Sequence, residues 1–181
     1  MEKNVDINVT VNGQLISRRV TARTNLVDFI RYELELTGSH VGCEHGVCGA
    51  CTIRVNGNIV RGCLMLAAQV DGANVETIEG VSDGGEISDL QDEFLKRNAL
   101  QCGFCTPGFL LTAQELLSEN PNPSRDQIRE FISGNYCRCT GYQQIVDSVR
   151  AASEILTLGE STDDSTGAKS DPDPNLSEGG D

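Results

Sequence analysis

Gly42-Cys-Glu-His-Gly-Val-Cys-Gly-Ala-Cys-Thr52 carries three cysteines, Cys43, Cys48 and Cys51, with four and then two residues between them. A fourth, Cys63, follows after eleven more residues. The other four cysteines form a second set, Cys102, Cys105, Cys137 and Cys139, spaced by two, thirty-one and one. Eight thiols divide into two tetrads with none left over. That reads as two four-ligand centres rather than as scattered core residues.

The x4–x2 run followed by a fourth cysteine is the spacing of plant-type [2Fe–2S] ferredoxins. In such a cluster each iron takes two protein thiolates and two bridging sulfides, so each tetrad would complete one cluster. The oxidised cluster carries a charge of about −2, and burying it requires N–H donors around the sulfurs. Glycines let a backbone curl closely around one centre. Gly42, Gly46 and Gly49 accompany the first tetrad, and Gly103, Gly108, Gly134 and Gly141 the second. Structural zinc is the rival reading, since Cys102-x2-Cys105 with Cys137-x-Cys139 could alone hold a tetrahedral ion. The x4–x2 spacing is less zinc-like, and disulfides would need an oxidising compartment. His45, inside the first ligand loop, is surplus as a ligand beside four cysteines, and a hydrogen-bonding role or none is expected of it. His40 reads as structural. Arg138, between two candidate ligands, either offsets cluster charge or faces solvent.

At 38% hydrophobic and 4% aromatic, with no Trp, the chain can bury a modest core, and metal clusters would act as staples. Against 27 acidic residues stand 14 basic ones, eleven of them arginine, for a net charge of −13. That balance disfavours nucleic acid and anionic membranes as partners. The opening MEKNVDINVTV lacks the apolar core of a secretory signal, and no apolar run reaches membrane-spanning length. A cytoplasmic location without membrane insertion is therefore expected, where thiols stay reduced. Residues 159–181 hold seven acidic residues against Lys169 and have no apolar period, which predicts an acidic disordered tail.

Between these landmarks the pattern changes once. Val5, Ile7, Val9 and Val11 alternate, Asn12-Gly13 marks a tight turn, and a second strand returns through Val20. Thr24 is placed to cap a short helix with Leu26, Phe29, Ile30 and Leu34 on its apolar face. Another hairpin is predicted around Asn56-Gly57, and a last strand over Val75–Ile78. From Ser88 onward the period becomes helical. Ser88-x-x-Gln91 and Ser124-x-x-Gln127 read as capping boxes, and Thr106-Pro107 as an N-cap followed by proline. Gly134 fits a C′ position, and a final helix from about Tyr142 buries Ile145, Val146, Val149 and Ile155. The expected class is α+β: residues 1–80 a ferredoxin-like domain, 81–87 a linker and 88–158 a four-helix bundle.

With Gln101-Cys-Gly-Phe-Cys-Thr-Pro-Gly108, Tyr136-Cys-Arg-Cys-Thr-Gly-Tyr142 and Thr77-Ile-Glu-Gly80, the first motif resembles the signatures of the iron–sulfur subunits of molybdenum hydroxylases. These include xanthine dehydrogenase, aldehyde oxidoreductase and aerobic carbon monoxide dehydrogenase. The resemblance spans about residues 4–155. It implies an N-terminal β-grasp [2Fe–2S] ferredoxin domain and a C-terminal four-helix-bundle [2Fe–2S] domain. It further implies that Cys43, Cys48, Cys51 and Cys63 bind a distal cluster and Cys102, Cys105, Cys137 and Cys139 a proximal one. Gln101 and Cys139 correspond to positions that face molybdopterin.

In such an assembly a molybdenum-binding large subunit carries the molybdopterin and a FAD-binding medium subunit carries the flavin, as a dimer of heterotrimers. This chain would be an enzyme subunit without a substrate site, passing electrons between those partners. A free two-cluster ferredoxin and a zinc-stabilised scaffold are the alternatives that metal analysis and co-purification separate. The motif wording leans toward the carbon monoxide dehydrogenase-like branch.

Overall fold

The computed structural model describes residues 3–82 and 88–163. Alternation builds strand β1, Asn4–Val11, which buries Ile7, Val9 and Val11. Asn12 and Gly13, both at positive φ, turn the chain into β2, Gln14–Thr21, with Val9 opposite Ile16. The second hairpin pairs β3, Thr52–Val55, with β4, Asn58–Arg61. Strand β5, Asn74–Glu76, enters between the hairpins, parallel to β1 and antiparallel to β3. The sheet order is therefore β2-β1-β5-β3-β4.

Helix α1, Leu26–Asp28, and a π-helical turn, Phe29–Glu33, lie against this sheet and bury Leu26, Val27, Phe29 and Ile30. The arrangement is the β-grasp. Two local expectations are corrected. Asn25, not Thr24, caps α1, its Oδ1 accepting from the Asp28 N–H at 2.8 Å. Thr24 is engaged through its backbone instead, its carbonyl accepting from Ala67 N at 2.8 Å. The last strand ends at Glu76, because Ile78–Gly80 winds into a 3₁₀ turn.

The second half stacks α2, Asp89–Lys96; α3, Thr106–Glu119; α4, Arg125–Phe131; and α5, Gln143–Asp163. Both serine capping boxes form. Phe94, Phe109, Ile128, Ile145, Val146 and Val149 fill the core, whereas Ile155 on α5 lies 38% exposed. Cys105 rather than Thr106 is the N-cap of α3, since the Thr106 N–H already closes a turn onto Gly103 O at 3.1 Å. Gly134 ends a 3₁₀ turn, Ile132–Gly134, and is not a C′ residue. Its bare Cα leaves room for the Arg61 guanidinium, which would stand 2.7 Å from any Cβ. Helix α5 runs to Asp163, into the segment expected to be a tail; residues 164–181 and most of the expected linker lie outside the described residues. Among the described residues no helix is long and apolar enough to cross a membrane.

Helix α3 lies against β3 and β4 and joins the two halves. The open edge of β4 is covered there, the Ile59 N–H donating to the Glu115 carboxylate at 2.7 Å. Backbones touch at Gly108, where a Cβ would sit 2.3 Å from Gly49 O. Buried Asn135 donates to Gly49 O at 3.2 Å and accepts from Thr112 Oγ1 at 3.2 Å. Arg61 reaches Gly134 O at 2.8 Å. Interlocked polar groups of this kind fix relative placement more tightly than apolar contact alone.

Candidate metal centres

The loop before β3 curls because Glu44, Gly46 and Gly49 all take positive φ. The curl turns backbone N–H groups toward one sulfur. The amide of His45 contributes most to holding the Cys43 thiol down to about 6, against the effect of burial and helped by the amides of Cys48 and Val47. The Cys48 N–H stands 3.4 Å from that sulfur. His45 thus acts through its backbone, as a hydrogen-bond donor. Cys51, buried just before β3, is pushed up to about 12 by burial, and the Cys63 and Cys48 thiols add to the rise. A Cβ on Gly42 would lie 3.1 Å from Cys48 Sγ. The structure therefore gathers Cys43, Cys48, Cys51 and Cys63.

The second set comes from two loops. Cys102 and Cys105 precede α3, and Cys137 and Cys139 lie between the 3₁₀ turn and α5. Cys139 Sγ and Cys102 Sγ are 3.6 Å apart. Burial, then the neighbouring Cys137 thiol, pushes Cys105 up to about 12. At Cys137 burial acts upward, but the hydroxyl and amide of Thr140 outweigh it and leave the thiol lowered. Those donors stand 3.1 Å and 3.4 Å from its sulfur. Tyr142 Oη accepts from the Cys137 N–H at 3.1 Å and fixes the turn. Cys102 and Cys139 lie at the surface beside Gln101, whose Nε2 donates to Cys139 O at 3.1 Å. Arg138 is exposed, as is the neighbouring Cys139.

Among the described residues no three His, Cys, Asp or Glu side chains converge as a single-ion site would require. The thiols approach in pairs, Cys51 with Cys63 and Cys105 with Cys137, as a two-iron cluster with two thiolates per iron needs. Amides and a hydroxyl aimed at sulfur suit an anionic cluster of this charge.

Two contacts between the tetrads were not legible in the sequence. The Tyr136 N–H donates to Cys48 O at 2.8 Å, and Tyr136 adjoins Cys137. The His40 ring stacks on Phe104, centroids 4.7 Å apart, and its Nδ1 lies 2.8 Å from Phe104 O. The first contact is made by main-chain atoms, which no side-chain pattern reports. The second joins residues 64 apart in the chain.

Residues 9–77 match the 2Fe-2S iron-sulfur cluster binding domain family, and residues 77–150 match the [2Fe-2S] binding domain family. The nicotine 6-hydroxylase small subunit of Paenarthrobacter nicotinovorans is 54% identical over 145 residues, which is 80% of this chain and 87% of that one. The caffeine dehydrogenase subunit gamma of Pseudomonas sp. (strain CBB1) is 50% identical over 158 residues, covering 86% and 95% respectively. This chain belongs to the iron–sulfur subunits of the molybdenum hydroxylases. The fold agrees: the crystal structure of quinoline 2-oxidoreductase from Pseudomonas putida 86 superimposes with a TM-score of 0.83 at 48% identity. That match spans 87% of this chain and 98% of that one. An iron–sulfur subunit of this family carries two [2Fe–2S] clusters and transfers electrons within a multi-subunit oxidoreductase. The free-carrier alternative finds no support among these relatives.

Proposed function

We propose that Cys43, Cys48, Cys51 and Cys63 ligate the distal cluster and Cys102, Cys105, Cys137 and Cys139 the proximal one. Gln101 and Cys139 face the molybdopterin of a molybdenum-binding large subunit, and the first tetrad faces a FAD-binding medium subunit. The assembly is a dimer of heterotrimers in the cytoplasm. When bound, the two clusters supply one-electron relay chemistry between the molybdenum centre and the flavin.

The surface position of Cys102, Cys139 and Gln101, tied together by the Gln101–Cys139 hydrogen bond, is the observation that supports this order. The chain's own residues do the rest. Amides of His45, Val47 and Cys48, with Thr140, offset thiolate charge. The Tyr136 N–H joins the Cys48 carbonyl to the backbone of Cys137 through one hydrogen bond, which shortens the path between the tetrads. The substrate class that the relatives favour is the N-heterocycle, as in caffeine, nicotine and quinoline, in place of the carbon monoxide branch toward which the motif wording leans.

Paired variants of the assembled enzyme test the order. Cys139→Ser is expected to alter one cluster signal and the Mo(V) signal together. Cys48→Ser is expected to leave the Mo(V) signal nearly unchanged and to block reduction of the flavin. The reverse pattern would mean that the two clusters have been assigned the wrong way round.

A further inference from the structure

We infer that His40 is a positioning residue that sets the spacing between the two clusters, an inference that rests on the cluster assignment proposed above. The loop carrying it is held from three sides. Arg31 donates to the carbonyls of Thr37 and Ser39 at 2.6 Å and 2.5 Å. The Glu79 carboxylate, from the Thr77-Ile-Glu-Gly80 motif, accepts from the Gly38 N–H at 2.7 Å. The N–H of His40 itself bonds Ala50 O at 3.2 Å, one residue from Cys51. Three anchors leave the imidazole little freedom to swing.

From this mount the ring crosses to the other half of the molecule. It stacks on Phe104 with 15° between the planes. A carbonyl oxygen can only accept, so Nδ1 carries the proton in the 2.8 Å contact with Phe104 O. Phe104 lies between Cys102 and Cys105, and its ring edge also reaches the first ligand loop, 3.5 Å from where a Gly42 Cβ would stand. The other cross-links act on helix α3, on strands β3 and β4, or on the Asn135–Cys137 side. His40 grips the Cys102–Cys105 loop itself. Electron exchange weakens steeply with separation, and such geometry must be held to within about 0.5 Å to be reproducible.

The test uses the assembled holoenzyme with His40→Ala, His40→Phe and His40→Asn. Asparagine offers an N–H near the Nδ1 position, phenylalanine offers only the stack, and alanine offers neither. Two quantities are read: the spin–spin splitting between the two reduced clusters, and the single-turnover rate at which the second cluster fills after the first. In His40→Ala, with both clusters retained by iron and sulfide analysis, the splitting is expected to shrink and the transfer to slow several-fold. His40→Asn recovers most of both, and His40→Phe falls between. A wild-type splitting and rate in His40→Ala would overturn the inference. So would loss of a cluster in both His40→Ala and His40→Asn, because the contact would then hold the fold and not the spacing. Absence of two distinguishable cluster signals in the unmodified enzyme would instead count against the assignment of the tetrads.

Discussion

Protons and iron compete for the same sulfurs, and the thiols do not start as equals. The fold holds Cys43 down to about 6, whereas Cys51 and Cys105 are pushed up to about 12. Iron requires the thiolate, so a thiol still protonated at the working pH must release its proton as the cluster binds. Above about 6, Cys43 is already ionised and adds no pH dependence, while Cys51 and Cys105 go on releasing protons up to about 12. Cluster retention therefore strengthens as pH rises through neutrality. Iron release to a chelator, followed from about pH 5 to about pH 9, is expected to slow steadily; a rate that is flat or quickens with pH would contradict this.

A second residue-scale expectation concerns Gly108. An added methyl would meet Gly49 O at 2.3 Å, and both partners are backbone, so neither yields cheaply. Gly108→Ala is expected to cost about 1–3 kcal/mol by overpacking. Chemical denaturation of the variant against the parent measures it.

At the scale of elements, the serine caps are the simplest test. Ser88 and Ser124 each accept from the N–H three residues on, and the glutamine at that position returns the bond. Each Ser→Ala change is expected to destabilise the helical half by about 1 kcal/mol. Thermal unfolding followed by helical circular dichroism shows whether it does.

These caps, like the Asn12-Gly13 and Asn56-Gly57 turns, were legible because each is set by residues within four positions of one another. The two [2Fe–2S] binding domains were legible for a related reason: cysteine spacing is a property of the loop that presents the sulfurs. What escaped the sequence was decided at longer range. Gly134 serves the Arg61 guanidinium, and Thr24 gives up its capping role where its carbonyl pairs with Ala67. Ile155 follows Val149 by six residues, which turns it about 120° away from the buried face of α5. His40 had no partner at any recognisable spacing, since Phe104 comes to it only when α3 docks.

For the whole molecule, net charge predicts a response to salt. A charge of −13 repels itself, and added salt screens that repulsion. Salt also weakens surface pairs such as Arg19–Asp6 and Arg129–Asp126, but each is worth only about 0–1 kcal/mol. Repulsion wins the comparison. The melting temperature is expected to climb between dilute buffer and molar potassium chloride, and a flat profile would show that the surface charge is balanced locally.

The sheet order has a consequence for the growing chain. Strand β5 is the keystone: the β1–β2 hairpin meets the β3–β4 hairpin only through it. Cys51 immediately precedes the second hairpin and Cys63 comes two residues after it, so the first four thiols all leave the ribosome before Asn74 arrives to lock the sheet. The second four are complete only once Cys139 has been added, well after Asn74. During translation, then, one set of metal-hungry sulfurs waits in an open half-sheet while the other does not yet exist. In chain order the first site is completed well before the second.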